Sequence, residues 1–161
     1  DGQARGVAIS GSYAYVADRA NGLEVFDIVT TPGSPIRAGG YDTDGQARGV
    51  AISGSYAYVA DRANGLEVFD IVTTPGSPIR AGGYDTDGQA RGVAISGSYA
   101  YVADGANGLE VFDIATTTGT PIRIGGYDTD GEAYGVALSG SYAYVADRAN
   151  GLEVIKLWGG P

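Results

Sequence analysis

The feature that most constrains this chain is repetition: residues 1–43 recur without change at 44–86. A third copy, 87–129, differs only at Gly105, Ala115, Thr118, Thr120 and Ile124. A fourth, 130–161, carries Glu132, Tyr134 and Leu138, and ends VIKLWGGP where its sisters read VFDIVTTP. Repeats of about 40 to 50 residues with several short strands each are propeller blades, whereas helical repeats of that length need a 3.6-residue apolar period. That period is absent, so the expected fold is all-β: a β-propeller array of four blades at 1–43, 44–86, 87–129 and 130–161. Even loop residues match between the first two copies, which folding alone does not require. Recent duplication, engineering and deliberate consensus each account for it.

Each unit divides into antiparallel strands. In the first copy they fall at 4–10 (ARGVAIS), 13–18 (YAYVAD), 22–28 (GLEVFDI) and 35–42 (PIRAGGYD). Tyr13, Tyr15 and Ala17 alternate with Ala14, Val16 and Asp18, the period-two pattern of a pleated strand, and both faces are apolar enough to need covering. Stacked blades supply that cover. Gly11-Ser12 and Asn21-Gly22 mark the turns, because Gly and Asn take positive φ at little cost. The fourth copy stops after its third strand, so Leu152, Val154, Lys156 and Trp158 are expected on an unpaired edge.

No residue is His or Cys, which excludes Ser-His-Asp and Cys-His nucleophile systems, thiolate or imidazole zinc sites and disulfides. Ten Lys and Arg against 19 Asp and Glu leave a net charge of -9. That balance repels phosphate backbones and anionic lipid, so nucleic acid is not an expected partner. No apolar run approaches the roughly 18 residues that cross a bilayer, and membrane insertion is not expected either. The chain opens at Asp1 and contains no Met, as expected of a processed or excised segment of an exported protein.

The run YVADRANGLEVFDI, residues 15–28, resembles the LVIVD repeat of bacterial and archaeal exported and surface proteins, in which a YVAD-like strand precedes a GL-x-V-x-D strand. The resemblance extends over all four copies, with Lys156 standing where Asp27, Asp70 and Asp113 stand in the others. It implies a β-propeller located outside the cell or on its surface, and it brings no catalytic residue with it.

Closed propellers take 4 to 8 blades, and four is the tightest circle. Three arrangements follow: two chains closing an eight-bladed ring, a piece of a longer propeller, or head-to-tail stacking into a filament. Self-association is therefore the expected behaviour. Lys156 blunts the free edge, while Trp158 either caps the core or anchors a second chain. A symmetric engineered scaffold without a natural ligand is the remaining alternative.

Antiparallel order sends the DRANG and YDTDGQ loops to one rim. That rim collects Asp18, Arg19, Asn21, Tyr41, Asp42 and Asp44 from the first copy, and Asp61, Arg62, Asn64, Tyr84, Asp85 and Asp87 from the second. The third adds Asp104, Asn107, Tyr127, Asp128 and Asp130, and the fourth adds Asp147, Arg148 and Asn150. Carboxylate, amide and guanidinium groups beside a phenol ring suit a glycan or a polar stretch of protein. The same residue types also serve as turn formers and local ion pairs.

The Asp42-Thr43-Asp44-Gly45 run and its copies offer hard oxygen ligands to Ca2+. An EF-hand loop needs a third oxygen ligand before its Gly and a distant Glu, so a plain turn is the expectation and no metal or cofactor is required. Arg5, Arg48 and Arg91 begin the first strand near the axis. They are expected to pair with a carboxylate such as the Asp of YVAD, because an unpaired buried charge costs several kcal/mol. Tyr134 in that position marks the fourth copy as a terminal cap. Near-identical copies give near-identical environments, whereas acid-base catalysis needs unequal ones, so a non-catalytic role is expected. The Thr-Thr-Pro-Gly-Ser-Pro loop resembles O-glycosylated tracts, and no N-glycosylation sequon occurs.

Overall fold

Alternating apolar residues build the strands, and a computed structural model describes residues 2–116 and 119–157. Blade 1 comprises β1 (Ala4–Ser10), β2 (Tyr13–Asp18), β3 (Gly22–Asp27) and β4 (Ile36–Tyr41), paired in chain order. Blade 2 comprises β5 (Gly49–Ser53), β6 (Tyr56–Ala60), β7 (Leu66–Asp70) and β8 (Ile79–Tyr84). Blade 3 comprises β9 (Gly92–Ser96), β10 (Tyr99–Ala103), β11 (Leu109–Asp113) and β12 (Ile122–Tyr127). Among the described residues blade 4 has three strands, β13 (Ala133–Ser139), β14 (Tyr142–Asp147) and β15 (Gly151–Lys156). All neighbours are antiparallel, as in the blades of a β-propeller.

The first hairpin turn of every blade requires glycine, since Gly11, Gly54, Gly97 and Gly140 all have φ between 53° and 55°. That is the left-handed region, which costs other residues about 1–2 kcal/mol. Asp27 then fixes the start of the loop after β3: its carboxylate accepts from the Val29 and Thr30 backbone N–H at 2.8 and 2.9 Å and from the Thr30 hydroxyl at 2.6 Å. Asp70 and Asp113 repeat the arrangement. The Thr30 hydroxyl, followed by the two backbone donors, holds the Asp27 carboxyl below the ordinary range.

The core lies between blades. Tyr15, Ala17, Leu23 and Val25 on the forward face of blade 1 pack on Ala57, Val59, Phe69 and Ile71 on the rear face of blade 2. Tyr58, Leu66 and Val68 pack in the same way on Ala100, Val102 and Phe112, and Tyr101 and Leu109 on Ala143 and Val145. Period-two alternation therefore does double duty, because each strand faces a different neighbour on each side. Blades also meet closely at the inner strands. A Cβ on Gly6 would stand 2.8 Å from the Arg48 carbonyl oxygen, and one on Gly49 3.0 Å from that of Arg91. Glycine at these positions is a packing requirement.

Among the described residues one junction is left open, a seam with the forward face of blade 4 on one side and the rear face of blade 1 on the other. A Cβ on Gly135, the equivalent of Gly6, would meet no atom of another blade. Leu152 is 64% exposed where Leu23 and Leu66 are 0%. On the other side of the seam, Val7 and Ile9 are 64% and 66% exposed.

The expected pairing of Arg5, Arg48 and Arg91 with the Asp of YVAD does not form. Asp61 instead accepts from the Thr43 hydroxyl at 3.0 Å and the Asn64 amide at 3.1 Å. Asp104 does the same with Thr86 at 2.7 Å and Asn107 at 3.2 Å. Both carboxylates lie inside the blade and staple the linker that enters it, so their hydrogen-bonding capacity is taken before any arginine reaches them.

Candidate functional site

The loop rim forms the same cleft twice. The end of blade 1 and the linker that follows it contribute Tyr41, Thr43 and Asp44, and the body of blade 2 contributes Asn64, Glu67, Arg80, Tyr84 and Asp85, around a space of about 440 Å3. One repeat later, Tyr84, Thr86, Asp87, Asn107, Glu110, Arg123, Tyr127 and Asp128 surround about 530 Å3. Each wall comes from a different blade, so the cleft depends on inter-blade packing. Tyr41 is set by that packing: its ring lies 5.0 Å from Phe69 of the next blade, tilted by 53°, and Tyr84 meets Phe112 at 5.1 Å.

A bidentate ion pair holds the floor. Arg80 Nη2 donates to Glu67 Oε1 at 2.9 Å, and Arg80 Nε donates to the other oxygen. Glu110 and Arg123 repeat the pair, with Nη2 to Oε1 at 3.0 Å. The hydrogen-bonded Glu67, with Tyr41 and Asp44 further across the cleft, holds the Arg80 guanidinium above its ordinary pKa against the opposing effect of burial. The glutamates are almost covered, whereas the Arg80 side chain remains 47% exposed and so still offers donors to the cleft. Asp44 and Asp85 add exposed carboxylates. Such a lining offers acceptors, a cation and a ring edge, the groups that recognise neutral polyhydroxylic or polar peptide ligands.

Of the expected rim residues, Tyr41, Asp44, Asn64, Tyr84 and Asp85 meet in the first cleft, and Tyr84, Asp87, Asn107, Tyr127 and Asp128 in the second. Asp42 and Asp130 are exposed on the rim beside them. Asp18, Asp61, Asp104 and Asp147 are buried. Burial pushes the Asp61 carboxyl up to about 6, with the Thr43 and Asn64 hydrogen bonds opposing. Arg19 and Arg62 turn away to glutamine side chains, and Arg148 lies 3.5 Å from Glu132. Asn21 is half-buried in blade 1 and Asn150 is exposed on blade 4, and neither lines the two clefts. Among the described residues, no three acidic groups converge as a metal would need.

Glu67, Arg80, Glu110, Arg123, Thr43 and Thr86 are site residues beyond those expected. Glu and Arg recur thirteen positions apart in every complete copy, and that recurrence was the available signal.

The third junction differs. Where a fourth strand of blade 4 would lie, an apolar groove of about 580 Å3 runs between Tyr101, Val111 and Ile124 of blade 3 and Val154 to Leu157 of blade 4. Of the residues expected on the edge, Leu152, Val154 and Lys156 are exposed. Trp158 lies outside the described residues.

No curated protein matches the chain. Among solved structures, the computationally designed Ika4 protein is similar over 98% of this chain and 92% of that one, at 11% identity and a TM-score of 0.74. The computationally designed Ika8 protein is similar over 98% of this chain and 47% of that one, at 12% identity and 0.72. BamB from Moraxella catarrhalis is similar over 96% of this chain and 44% of that one, at 13% identity and 0.73. These likenesses are of fold; the chain spans nearly all of Ika4 and about half the length of the other two. The LVIVD repeat matches four times in succession, at 1–43, 44–86, 87–129 and 130–156, and the chain belongs to that family.

Proposed function

We propose that the protein is a non-catalytic, extracellular interaction module that joins a second copy at its open seam and presents its rim clefts, in multiple copies, to a glycan or polar peptide. The observation that carries the reading is the seam. Leu152 and Val154 are 64% and 52% exposed, yet their equivalents Leu66 and Val68 are 0% exposed against the next blade. Val7 and Ile9 are the equivalents of Val50 and Ile52, which pack into the first inter-blade cluster. The two sides of the seam are therefore the two halves of an interface the chain already makes between its own blades. Two copies placed forward face to rear face repeat it twice and close an eight-bladed ring, a size propellers adopt. The overlay on about half of two longer solved chains is consistent with that proportion.

A ring of two chains doubles the number of equivalent clefts, and a repeated ligand engaging several of them gains affinity through effective concentration. The family resemblance supports an extracellular location. The near-equivalence of the two clefts supports binding over catalysis, because acid-base chemistry needs groups in unequal environments.

Light scattering on the native protein tests the assembly. The expected result is a discrete species of twice 16.3 kDa that Leu152→Asp converts to a single chain of unchanged circular dichroism. A wild-type protein that stays single-chain at tens of micromolar defeats the reading. Open polymers replace the ring with a filament. Binding at the clefts is tested with a glycan array before and after Tyr84→Ala, which removes a wall from both clefts at once.

A further inference from the structure

The arginines that no glutamate of their own blade clamps gather where the inner strands begin, and glutamine links them in a row. Arg5 Nη2 and Arg19 Nη1 both donate to Gln3 Oε1, at 2.9 and 3.3 Å. Arg19 Nε and Arg62 Nη1 share Gln46 Oε1, at 2.9 and 2.6 Å. Arg62 Nε and Arg91 Nη2 share Gln89 Oε1, both at 3.1 Å. An amide oxygen orients a guanidinium without neutralising it.

Copies three and four remove charge from this row. Gly105 stands where copies one and two carry Arg19 and Arg62, Glu132 replaces the glutamine, and Tyr134 replaces the arginine of the inner strand. Arg91 consequently finds a carboxylate oxygen at 3.6 Å and the Tyr134 ring at 4.0 Å. The end at blades 3 and 4 carries its own compensation. At blades 1 and 2 it is missing, and Arg48 is the centre of the deficit. Its Nε, like that of Arg91, is buried without a hydrogen-bond partner. No ion pair among the described residues reaches it. Desolvation, followed by the charges of Arg62, Arg91, Arg19 and Arg5, holds its guanidinium below the ordinary pKa. A chain of net charge -9 thus keeps uncompensated, partly buried positive charge at one place, which is unfavourable unless an anion occupies it.

We propose that Arg48, with Arg5, Arg19 and Arg62 around it, is a binding site for a tetrahedral oxyanion, a phosphate or sulfate group either free or carried by a larger ligand. Such a group supplies several acceptor oxygens to guanidinium N–H pairs and the negative charge that the row lacks. Gln3 and Gln46 hold the flanking guanidiniums in place before it arrives. All these residues belong to one chain, so the site does not depend on ring closure. It also differs in chemistry from the rim clefts, whose exposed carboxylates disfavour anions.

Calorimetric titration with inorganic phosphate, sulfate and methyl phosphate, against chloride at matched ionic strength, tests the site. Saturable binding of one oxyanion per chain is expected. Tighter binding of methyl phosphate than of inorganic phosphate assigns the carried group, and the reverse order assigns the free ion. Arg48→Gln should weaken binding at least tenfold. Gln46→Glu, which installs the carboxylate that copy four carries naturally, should do the same while leaving the anion-free melting temperature at or above that of the wild type. Arg37→Gln, a change to an arginine paired with Glu24, should bind as the parent does. If Arg48→Gln fails to fold, exposed Arg5→Gln should still weaken binding severalfold. Heats that match those of chloride overturn the proposal, as do Arg48→Gln and Gln46→Glu proteins that bind as tightly as the wild type.

Discussion

Blades 2 and 4 share most of their residues and differ in what stands beside them. Leu66 is 0% exposed and Leu152 is 64% exposed, although both occupy the second residue of the same GLEV motif. Glu67 is clamped by Arg80, whereas among the described residues no arginine of a fourth strand reaches Glu153. The difference shows that a blade's own sequence specifies the sheet, while its neighbour decides whether the faces become core or surface. Stability in such an array resides in the junctions.

The sharpest way to break this comparison is to truncate the same leucine in both settings. Leu66→Ala should cost about 2–5 kcal/mol, because it removes a fully buried side chain from a junction that closes poorly around a void. Leu152→Ala should change the stability of the single chain by less than about 0.5 kcal/mol, while weakening self-association. Urea unfolding at low protein concentration reads the first quantity, and sedimentation reads the second. Equal losses from both variants in a dilute, single-chain sample would mean that blade 4 is covered in solution by something other than a second copy.

The buried aspartates sharpen the comparison through pH. Asp61 titrates near 6 in the folded protein and near 4 when unfolded, so between those values the folded state binds more protons. Stability is then fully present below about pH 4 and declines as pH rises through about 6, by about 3 kcal/mol for this one group. Burial shifts Asp104 in the same direction. The half-buried Asp27, Asp70 and Asp113, held low by their Thr hydroxyl and backbone donors, act oppositely, and their contribution disappears only as pH falls below the ordinary carboxylate range. The urea midpoint should therefore peak near about pH 4 and fall toward neutrality. The double variant Asp61→Asn/Asp104→Asn should flatten the decline between about pH 4 and 6; an unaltered slope would place the titrating groups elsewhere.

Much of this architecture was legible in the residues. The alternation of YAYVAD and the flanking glycines located β1 and β2 at their observed limits, and the last two strands of blade 1 ended within a residue of expectation. The rim that gathers Tyr41, Asp44 and Asp85 followed from counting alternate loops. The ion pair on the cleft floor did not follow, and the reason is a bulge. The register between β3 and β4 shifts between Val25 and Phe26, so Phe26 rather than Asp27 lies opposite Arg37. A one-residue slip moves a side chain to the other face of the sheet, and here it brings Arg37 to the face of Glu24. The arginine and glutamine row was hidden for a different reason. Apart from Arg5 in β1, its members are loop residues of successive blades, and only the packing of one blade on the next brings them together.

The smallest effect tests a backbone difference between an end blade and an inner one. Arg62 has φ 48°, whereas Arg19, the same residue one repeat earlier, stays out of the positive-φ region. In blade 2 the loop turns outward, and Arg62 exchanges two backbone hydrogen bonds with Ala90 of blade 3, at 2.9 and 3.0 Å. In blade 1 it stays at home, with Arg19 N–H donating to the Gln3 carbonyl at 3.0 Å. Gly105, at φ 60°, makes the outward bridge to Ala133 without a left-handed penalty. Replacing either arginine forfeits its glutamine contacts, so the informative quantity is the order of glycine and alanine. At position 62, Arg62→Gly should be more stable than Arg62→Ala by about 1 kcal/mol, because glycine alone escapes the cost of left-handed backbone. At position 19, Arg19→Ala should be more stable than Arg19→Gly by about 0.5–1 kcal/mol, because glycine there only adds unfolded-state entropy. Four urea midpoints decide the matter. The same order at both positions would show that the two loops share one conformation and that the inner blade gains nothing from reaching outward.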